Sequence, residues 1–382
     1  MAIANYTPTL TGLEIDYLKD CVDTGWVSSV GPYVDRLESD FAQYHNVKQA
    51  VAVSSGTAAI HLGLISLGVQ PGDYVLVPTL TFIGSVNPVF YCGAKPIFLD
   101  AEHQTLNLCP QTLEEFLKTQ TRLTAKGLVY KKDGKRISAL LVVHLYGHPA
   151  KMAEILKLAR KYHLKVLEDA AESLGAKYQG KLVGTFGDVG CFSFNGNKIV
   201  TTGGGGMLIS KNARLTKLCK HLSTQAKKKD PFTFVHDHIG YNYRLSNLCA
   251  AVGVAQFQAL DQFITQKRHQ FSMYTKLIRS VTGWEIIKEQ SGTCSTYWMV
   301  LARCTKPSKN IYQKVQALTQ KGIGVRAVWH PMHKLALFKQ SPYFGAKTAE
   351  QIYQTTFCLP SSVNLGEDDI KTVVDALATL SV

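Results

Sequence analysis

From residue 49 the chain alternates short apolar runs with stretches of helical period. Gln49–Ser54 (QAVAVS) predicts a strand, and SGTAAIHLGLISLG after it predicts a helix with Ile60, Leu64 and Leu67 on one face. YVLVP (74–78), PIFLD (96–100), ALLVVH (139–144) and KVLED (165–169) predict further strands, with a helix over Ala150–Tyr162 between the last two. CFSF (191–194) and GMLIS (206–210) add two short ones. Strands alternating with helices imply right-handed crossovers and a mostly parallel sheet covered on both faces, an α/β fold. Ligands of such sheets gather beyond the carboxyl ends of the strands. That rule singles out Ser55-Gly56-Thr57, Thr79–Phe82, His144–Gly147, Asp169–Glu172 and Asn195–Lys198.

A helical pattern runs from Ser246 to Lys267. The chain then changes to a smaller α+β stretch, with TYWMVLAR at 296–303 and VRAVWH at 325–330. The expected division is a large domain over 1–255 and a small C-terminal domain over 256–382. Two uncharged stretches, Gln49–Gly72 and Tyr74–Ala94, are long enough for membrane spans, but their Ser, Thr, His, Asn and Pro residues predict buried strand–helix units instead. No membrane partner is expected, and the start shows no basic region followed by an apolar run.

Composition narrows the function classes. The 382 residues are 46% hydrophobic and 18% charged, the balance of an ordinary folded protein. Nine cysteines without a CxxC pair give neither a disulfide framework nor zinc-ligand spacing, so a reducing cytoplasm and no metal are expected. Forty-two basic against 28 acidic residues leave a net charge of +14, which favours anionic small molecules. The densest basic run, Lys227-Lys228-Lys229, reads as a loop without an RNA-binding aromatic signature, so no nucleic-acid partner is expected.

Three features at strand ends carry chemistry. Ser55-Gly56-Thr57 opens a helix directly after a strand, where successive N–H groups and a hydroxyl can bind an anion. Asp169 closes KVLED before two small residues, so its carboxylate calls for a cationic partner. Lys198 stands in CFSFNGNKIVTTGGGGM, and the four glycines let backbone approach a ligand closely. Their spacing is not that of a dinucleotide site. Together these features suit pyridoxal phosphate, which needs a lysine for its Schiff base, an acid on its ring nitrogen and an anion site for its phosphate.

The ordered strings SGTAAIHLGL, PTLTFIGS, EDAAES, FSFNGNKIVTTGGGGM and GYNYRLSN resemble the DegT/DnrJ/EryC1/StrS family of sugar aminotransferases over nearly the whole chain. The resemblance implies fold type I, the aspartate aminotransferase-like architecture, with a mostly parallel mixed sheet in the large domain. It implies that Lys198 is the Schiff-base lysine, that Asp169 pairs with the pyridinium nitrogen and that Phe82 stacks on the ring. Gly56, Thr57 and Ser193 correspond to phosphate ligands, and Glu172 to a position near the cofactor hydroxyl. Asn242 corresponds to a phosphate ligand from a neighbouring subunit, which implies a homodimer with shared active sites. Trp26, Ser28, Ser29, Tyr243, Arg244, His330 and His333 fall in segments that resemble substrate-facing parts of the family.

Glu172, Asn195-Gly196-Asn197 and Gly204 depart from commoner family residues, which bears on substrate contacts rather than cofactor chemistry. The NGNK-with-four-glycines variant resembles a LegC-like branch that aminates C4 of a UDP-linked 4-keto-6-deoxy-N-acetylhexosamine with glutamate as donor, for surface-glycan biosynthesis. The alternatives are a 3-ketosugar aminotransferase on a dTDP-sugar, and a catalytically silent regulator that binds sugar or cofactor. Lys198 speaks against the silent reading and against the dehydratases of the family, which carry His in its place.

Overall fold

A computed structural model of the chain describes residues 2–125, 127–230, 232–306 and 311–380. The apolar runs form the expected large sheet. Its strands are β1 (Ala50–Val53), β2 (Tyr74–Pro78), β3 (Lys95–Leu99), β4 (Ile137–Val143), β5 (Lys165–Asp169), β6 (Val189–Ser193) and β7 (Gly206–Ile209). The C-terminal part contributes β8 (Trp284–Ile286), β9 (Leu301–Cys304), β10 (Arg326–Ala327), β11 (Tyr343–Phe344) and β12 (Thr356–Cys358). The large sheet runs in the order β1-β7-β6-β5-β4-β2-β3-β11. Only β7 lies antiparallel to its neighbours. A second sheet, β8-β9-β12-β10, is antiparallel. The central strands are near-continuous apolar runs because helices cover both faces.

Helices α1 (Leu13–Asp23), α2 (Pro32–Tyr44), α3 (Gly56–Ser66), α4 (Met152–Lys161), α5 (Ala213–Ser223), α6 (Asn247–Gln258), α7 (Leu260–Leu277) and α8 (Glu367–Ala378) matter most here. Two differ from the pattern. The sequence gives α3 one apolar face, yet seven consecutive residues from Ala58 to Leu64 are buried. The reason is close approach: a Cβ at Gly63 would stand 2.7 Å from Leu167 Cδ1 on β5, so sheet and neighbouring elements enclose the helix. The single helix expected over Ser246–Lys267 is two, parted at Ala259 (φ −93°, ψ 1°) with no Gly or Pro to announce the break. The turn lets α6 pack on α1 and α2 while α7 crosses to α8.

The expected boundary at 255/256 lies in the last turn of α6. Elements cross it both ways: Ile3 bridges to Ile323, and β11 joins the large sheet beside β3. Of TYWMVLAR only Leu301–Arg303 is strand, and of VRAVWH only Arg326-Ala327, because Tyr297 takes a left-handed φ of 46° and the chain turns at Pro331. No described helix is long and apolar enough to cross a membrane.

Three buried histidines make the fold acid-sensitive. The Nε2 atoms of His45, His61 and His148 have no hydrogen-bond partner among the described residues. Burial pushes each imidazole down from 6.5 to about 4. A depressed histidine is neutral in the fold, so its contribution is complete above pH 6.5 and lost as the pH falls towards 4. At pH 5 the cost is about 2 kcal/mol per ring. Melting curves at pH 7.5 and pH 5.0 should therefore differ by many degrees, and His148→Gln should flatten the dependence. An unchanged melting temperature would refute this.

Candidate active site

The strand ends of β5 and β6 and the start of α3 enclose a cavity of about 430 Å³. Gly56, Thr57, Phe82, Asp169, Glu172, Ser193 and Lys198, all singled out in the sequence, line it together. Asp169 sits in register with Val143 on β4 and Cys191 on β6, at the point where parallel strands end. Side chains alternate across a strand, so Glu168 faces the opposite way. There Glu168 is saturated by the N–H groups of Gly184, Phe186 and Gly187 and by His144 at 3.0 Å. One carboxylate is spent on the fold and its neighbour is left for the cavity.

Asp169 is buried and accepts from Ser85 Oγ (2.6 Å) and from the Ala171 N–H (3.1 Å). Burial raises its pKa, while Ser85, Ala171 and the nearby Lys198 oppose the rise. Glu172 accepts from the Tyr146 N–H (2.8 Å) and the Trp329 indole (3.0 Å), with Lys198 Nζ 4.0 Å from Oε1. Burial raises Glu172 and lowers Lys198, and the attraction between the two partly offsets both shifts. A lysine whose pKa is lowered by burial is a better nucleophile and base than one in water.

The backbone around Lys198 is anchored at three points. Tyr6 donates its hydroxyl to the Lys198 carbonyl (2.9 Å), Trp298 donates its indole N–H to the Asn197 carbonyl (2.7 Å), and the Lys198 N–H reaches Asn195 O (2.9 Å). The amine itself lies 4.0 Å from the centre of the Trp298 ring. Tyr146 stacks between Trp298 and Trp329, and holds a left-handed φ of 55° to do so. Such strain persists where surrounding contacts over-determine it.

At the α3 start, Ser55 caps the helix by accepting from the Ala58 N–H (3.0 Å), and Gly56 and Thr57 line the cavity. Glycine is required at two places. A Cβ at Gly56 would stand 2.8 Å from Ser193 Cβ, and one at Gly206 would stand 2.6 Å from the Ser55 backbone. The glycine run thus seats β7 against the helix start, with Gly204 and Gly205 lining the cavity.

The other expected residues lie elsewhere. Asn242, Ser29 and Arg244 share a separate surface depression with Lys227–Lys229. Trp26 and Ser28 lie on the loop before α2, where their carbonyls accept from the Asn247 side chain and N–H. Tyr243 places its hydroxyl 3.2 Å from His61 Nδ1. His333 ties Thr79 (2.6 Å) to Glu350 (3.2 Å) and stacks on Tyr343, and His330 packs edge-on to Tyr353. None of these eight is a wall of the Lys198 cavity. Ser85, Trp298 and Trp329 carry no site signal in the sequence, and Tyr146 carries only its place in the strand-end segment His144–Gly147. Ser85 closes the PTLTFIGS string, but an aromatic in an apolar run carries no sign of which cavity it will face.

The residues present fit pyridoxal phosphate. A buried amine and a buried carboxylate share one cavity, an exposed aromatic (Phe82) lies 4.9 Å from the Trp329 ring on its wall, and a helix N-terminus opens into it. Fold and site together define a fold type I, pyridoxal-phosphate-dependent aminotransferase. The chain belongs to the DegT/DnrJ/EryC1/StrS aminotransferase family, whose model matches residues 8–378. It is a sugar aminotransferase. It is 38% identical over 372 residues to GDP-perosamine synthase of Escherichia coli O157:H7, covering 97% of this chain and 96% of that one. It is 30% identical to UDP-N-acetyl-3-dehydro-alpha-D-glucosamine 3-aminotransferase of Acidithiobacillus ferrooxidans, covering 89% and 86%. Among solved structures, the aminotransferase TlmJ from Streptoalloteichus hindustanus superposes with a TM-score of 0.88 at 27% identity, covering 99% of this chain and 98% of that one.

Proposed function

We propose that the protein moves the amino group of glutamate to the C4 ketone of a nucleotide-linked 4-keto-6-deoxyhexose, in the making of a surface glycan. The observation that carries this reading is the enclosure of Lys198, Asp169 and Glu172 in one cavity at the strand ends. The likeness to a GDP-perosamine synthase favours guanosine diphosphate as the carrier. The second reading is the UDP-linked 4-keto-6-deoxy-N-acetylhexosamine that the NGNK-glycine string suggests. A 3-ketosugar is the remaining alternative, and the likeness to a UDP-sugar 3-aminotransferase keeps it in the test.

Pyridoxal phosphate, when bound, supplies an electron sink for the carbanion formed at the reacting carbon. The residues of the chain do the rest. Lys198 Nζ, whose proton affinity burial lowers, takes the proton from the α-carbon of glutamate and delivers one to C4 of the sugar. General acid–base work of this kind contributes roughly 10²–10⁴-fold. Asp169 holds positive charge on the ring nitrogen, and Ser85 and the Ala171 N–H fix its carboxylate. Glu172 is held by Tyr146 and Trp329 on the Lys198 side of the cavity, where it steadies a positive amine. The N–H groups of Gly56 and Thr57, with Ser193, receive the phosphate. Phe82 and Trp329 wall off water.

Asn242 is exposed and lines a depression apart from its own Lys198 cavity. We take this as the mark of a homodimer in which Asn242 serves the partner's phosphate, with Ser29 and Arg244 beside it facing the anionic substrate. Two variants, Asn242→Ala and Lys198→Ala, each impaired alone, should on 1:1 mixing with random reassociation regain about a quarter of the wild-type rate, because half the dimers are then heterodimers with one intact site of two. No recovery would rule out the shared site. For the substrate, turnover with glutamate should be measured against GDP-, UDP- and dTDP-linked 4-keto and 3-keto sugars. The GDP-linked 4-ketosugar is expected to react fastest, and a preference for any 3-ketosugar would overturn the C4 assignment.

A further inference from the structure

Away from the cofactor cavity, three side chains converge at the base of a surface hairpin. His221 lies in the last turn of α5, and Asp237 and His238 lie on the return limb of the loop that follows. Asp237 Oδ1 is 2.6 Å from His221 Nε2 and 2.9 Å from His238 Nδ1. One ligand atom from each residue lies within 4.8 Å of the others, and this is the only such trio of His, Cys, Asp or Glu among the described residues. No metal was expected from the sequence. The signal was hidden because the first ligand is 16 residues from the second and no CxxC or HxxH spacing marks it.

We propose that His221, Asp237 and His238 form a binding site for a divalent transition metal of the zinc class, which staples the 224–242 hairpin to α5. Two imidazole nitrogens and one carboxylate oxygen this close together are the donor set of a three-ligand zinc site, with a fourth position left to water. The mixed nitrogen and oxygen set disfavours calcium and magnesium, which take oxygen ligands. In a tetrahedral site with bonds of ~2.0–2.1 Å, ligand atoms stand ~3.3 Å apart, so the Asp237 oxygen, 2.6 and 2.9 Å from the two imidazole nitrogens, has to draw back by roughly half an ångström from each to admit the ion.

The hairpin has reason to need a staple. Phe232, Phe234 and Ile239 are more than 80% exposed, so it gains little from burial. Its turn out of α5 runs through two successive left-handed residues, Gln225 (φ 61°) and Ala226 (φ 53°). Each is a strained backbone conformation that persists only where contacts impose it. The hairpin is tied by backbone bonds at its base, among them Gln225 N–H to Tyr241 O, Tyr241 N–H to Leu222 O and Asp237 N–H to Ala226 O, while nearer its tip Lys228 N–H to Val235 O and the Lys227–His236 bridge join the two limbs. A metal link between α5 and residues 237–238 closes the loop at its base, where such a cross-link removes most freedom.

The test uses the full-length, cofactor-loaded protein without an affinity tag, stripped with a chelator and titrated with zinc chloride alone. One equivalent of zinc per chain is expected with a Kd below ~10 μM. His238→Ala and Asp237→Asn should each weaken binding at least tenfold, and His236→Ala, next to the site but outside it, should not. Zinc should also slow trypsin cleavage after Lys227–Lys229 in the wild type and leave the rate in His238→Ala unchanged. Cobalt should give a tetrahedral visible spectrum that the same variant loses. Substoichiometric or weaker binding, or equal binding by wild type and His238→Ala, would overturn the assignment. The cofactor's own absorbance reports in each variant that the fold is intact.

Discussion

Lys198→Ala is expected to abolish the glutamate half-reaction, with a loss of at least 10²–10⁴-fold in rate. The expectation follows from how the amine is held. The surrounding anchors (Tyr6 on its carbonyl, Trp298 on the carbonyl of Asn197) bond to backbone, not to the amine, so truncation leaves them intact. Truncation also removes a desolvated amine, so melting should change little. What is lost is an amine whose pKa burial lowers, with Glu172 at 4.0 Å to steady the positive form. Borohydride should fix the cofactor covalently to the wild-type chain at residue 198 and to no residue of the variant. The readout is the change in cofactor absorbance on adding glutamate, which needs no sugar substrate. A variant that responds to glutamate at the wild-type rate would end the assignment of Lys198.

The large sheet was legible because buried parallel strands are written as uninterrupted apolar runs, and KVLED and YVLVP begin and end as expected. The same uniformity hid the orientation of what lies between. In α3 nothing in GTAAIHLGL says that every face will be covered, since the partners come from elements far along the chain. The break at Ala259 is a tertiary choice, forced where α7 leaves for the second sheet and unmarked by any residue of special backbone preference.

The site divides along the same line. Lys198, Asp169 and the Ser55-Gly56-Thr57 turn were legible because their chemistry is scarce in apolar surroundings and each directly follows a strand. Trp329 was not, and Tyr146 only as part of a strand-end segment with no role attached, although both bond to Glu172 and so decide where its charge sits. Their polar atoms act over sequence separations of 157 and 26 residues. His330 and His333 show the converse: conspicuous residue types in a promising segment, placed outside the Lys198 cavity, with His333 tying Thr79 to Glu350.

Asp169→Asn separates the charge of the site from its shape. The amide has nearly the same size, its oxygen can accept from the Ala171 N–H, and the Ser85 hydroxyl can turn to accept from the new NH₂. The carboxylate it replaces is wholly buried and raised in pKa by that burial, so the cavity loses a desolvated charge and the fold should be as stable or more so. Yet an amide cannot hold positive charge on a ring nitrogen. The half-reaction with glutamate should slow by about 10²–10³-fold, the range for removing one preorganised electrostatic group. The cofactor should still bind through Lys198, as borohydride trapping would show. The wild-type rate should fall as the pH drops through the raised pKa of Asp169, whereas the variant, already lacking the charge, should lose that limb of the profile. Equal rates in the two proteins at pH 7.5, with trapping intact in both, would remove Asp169 from the chemistry and leave it a residue of the fold.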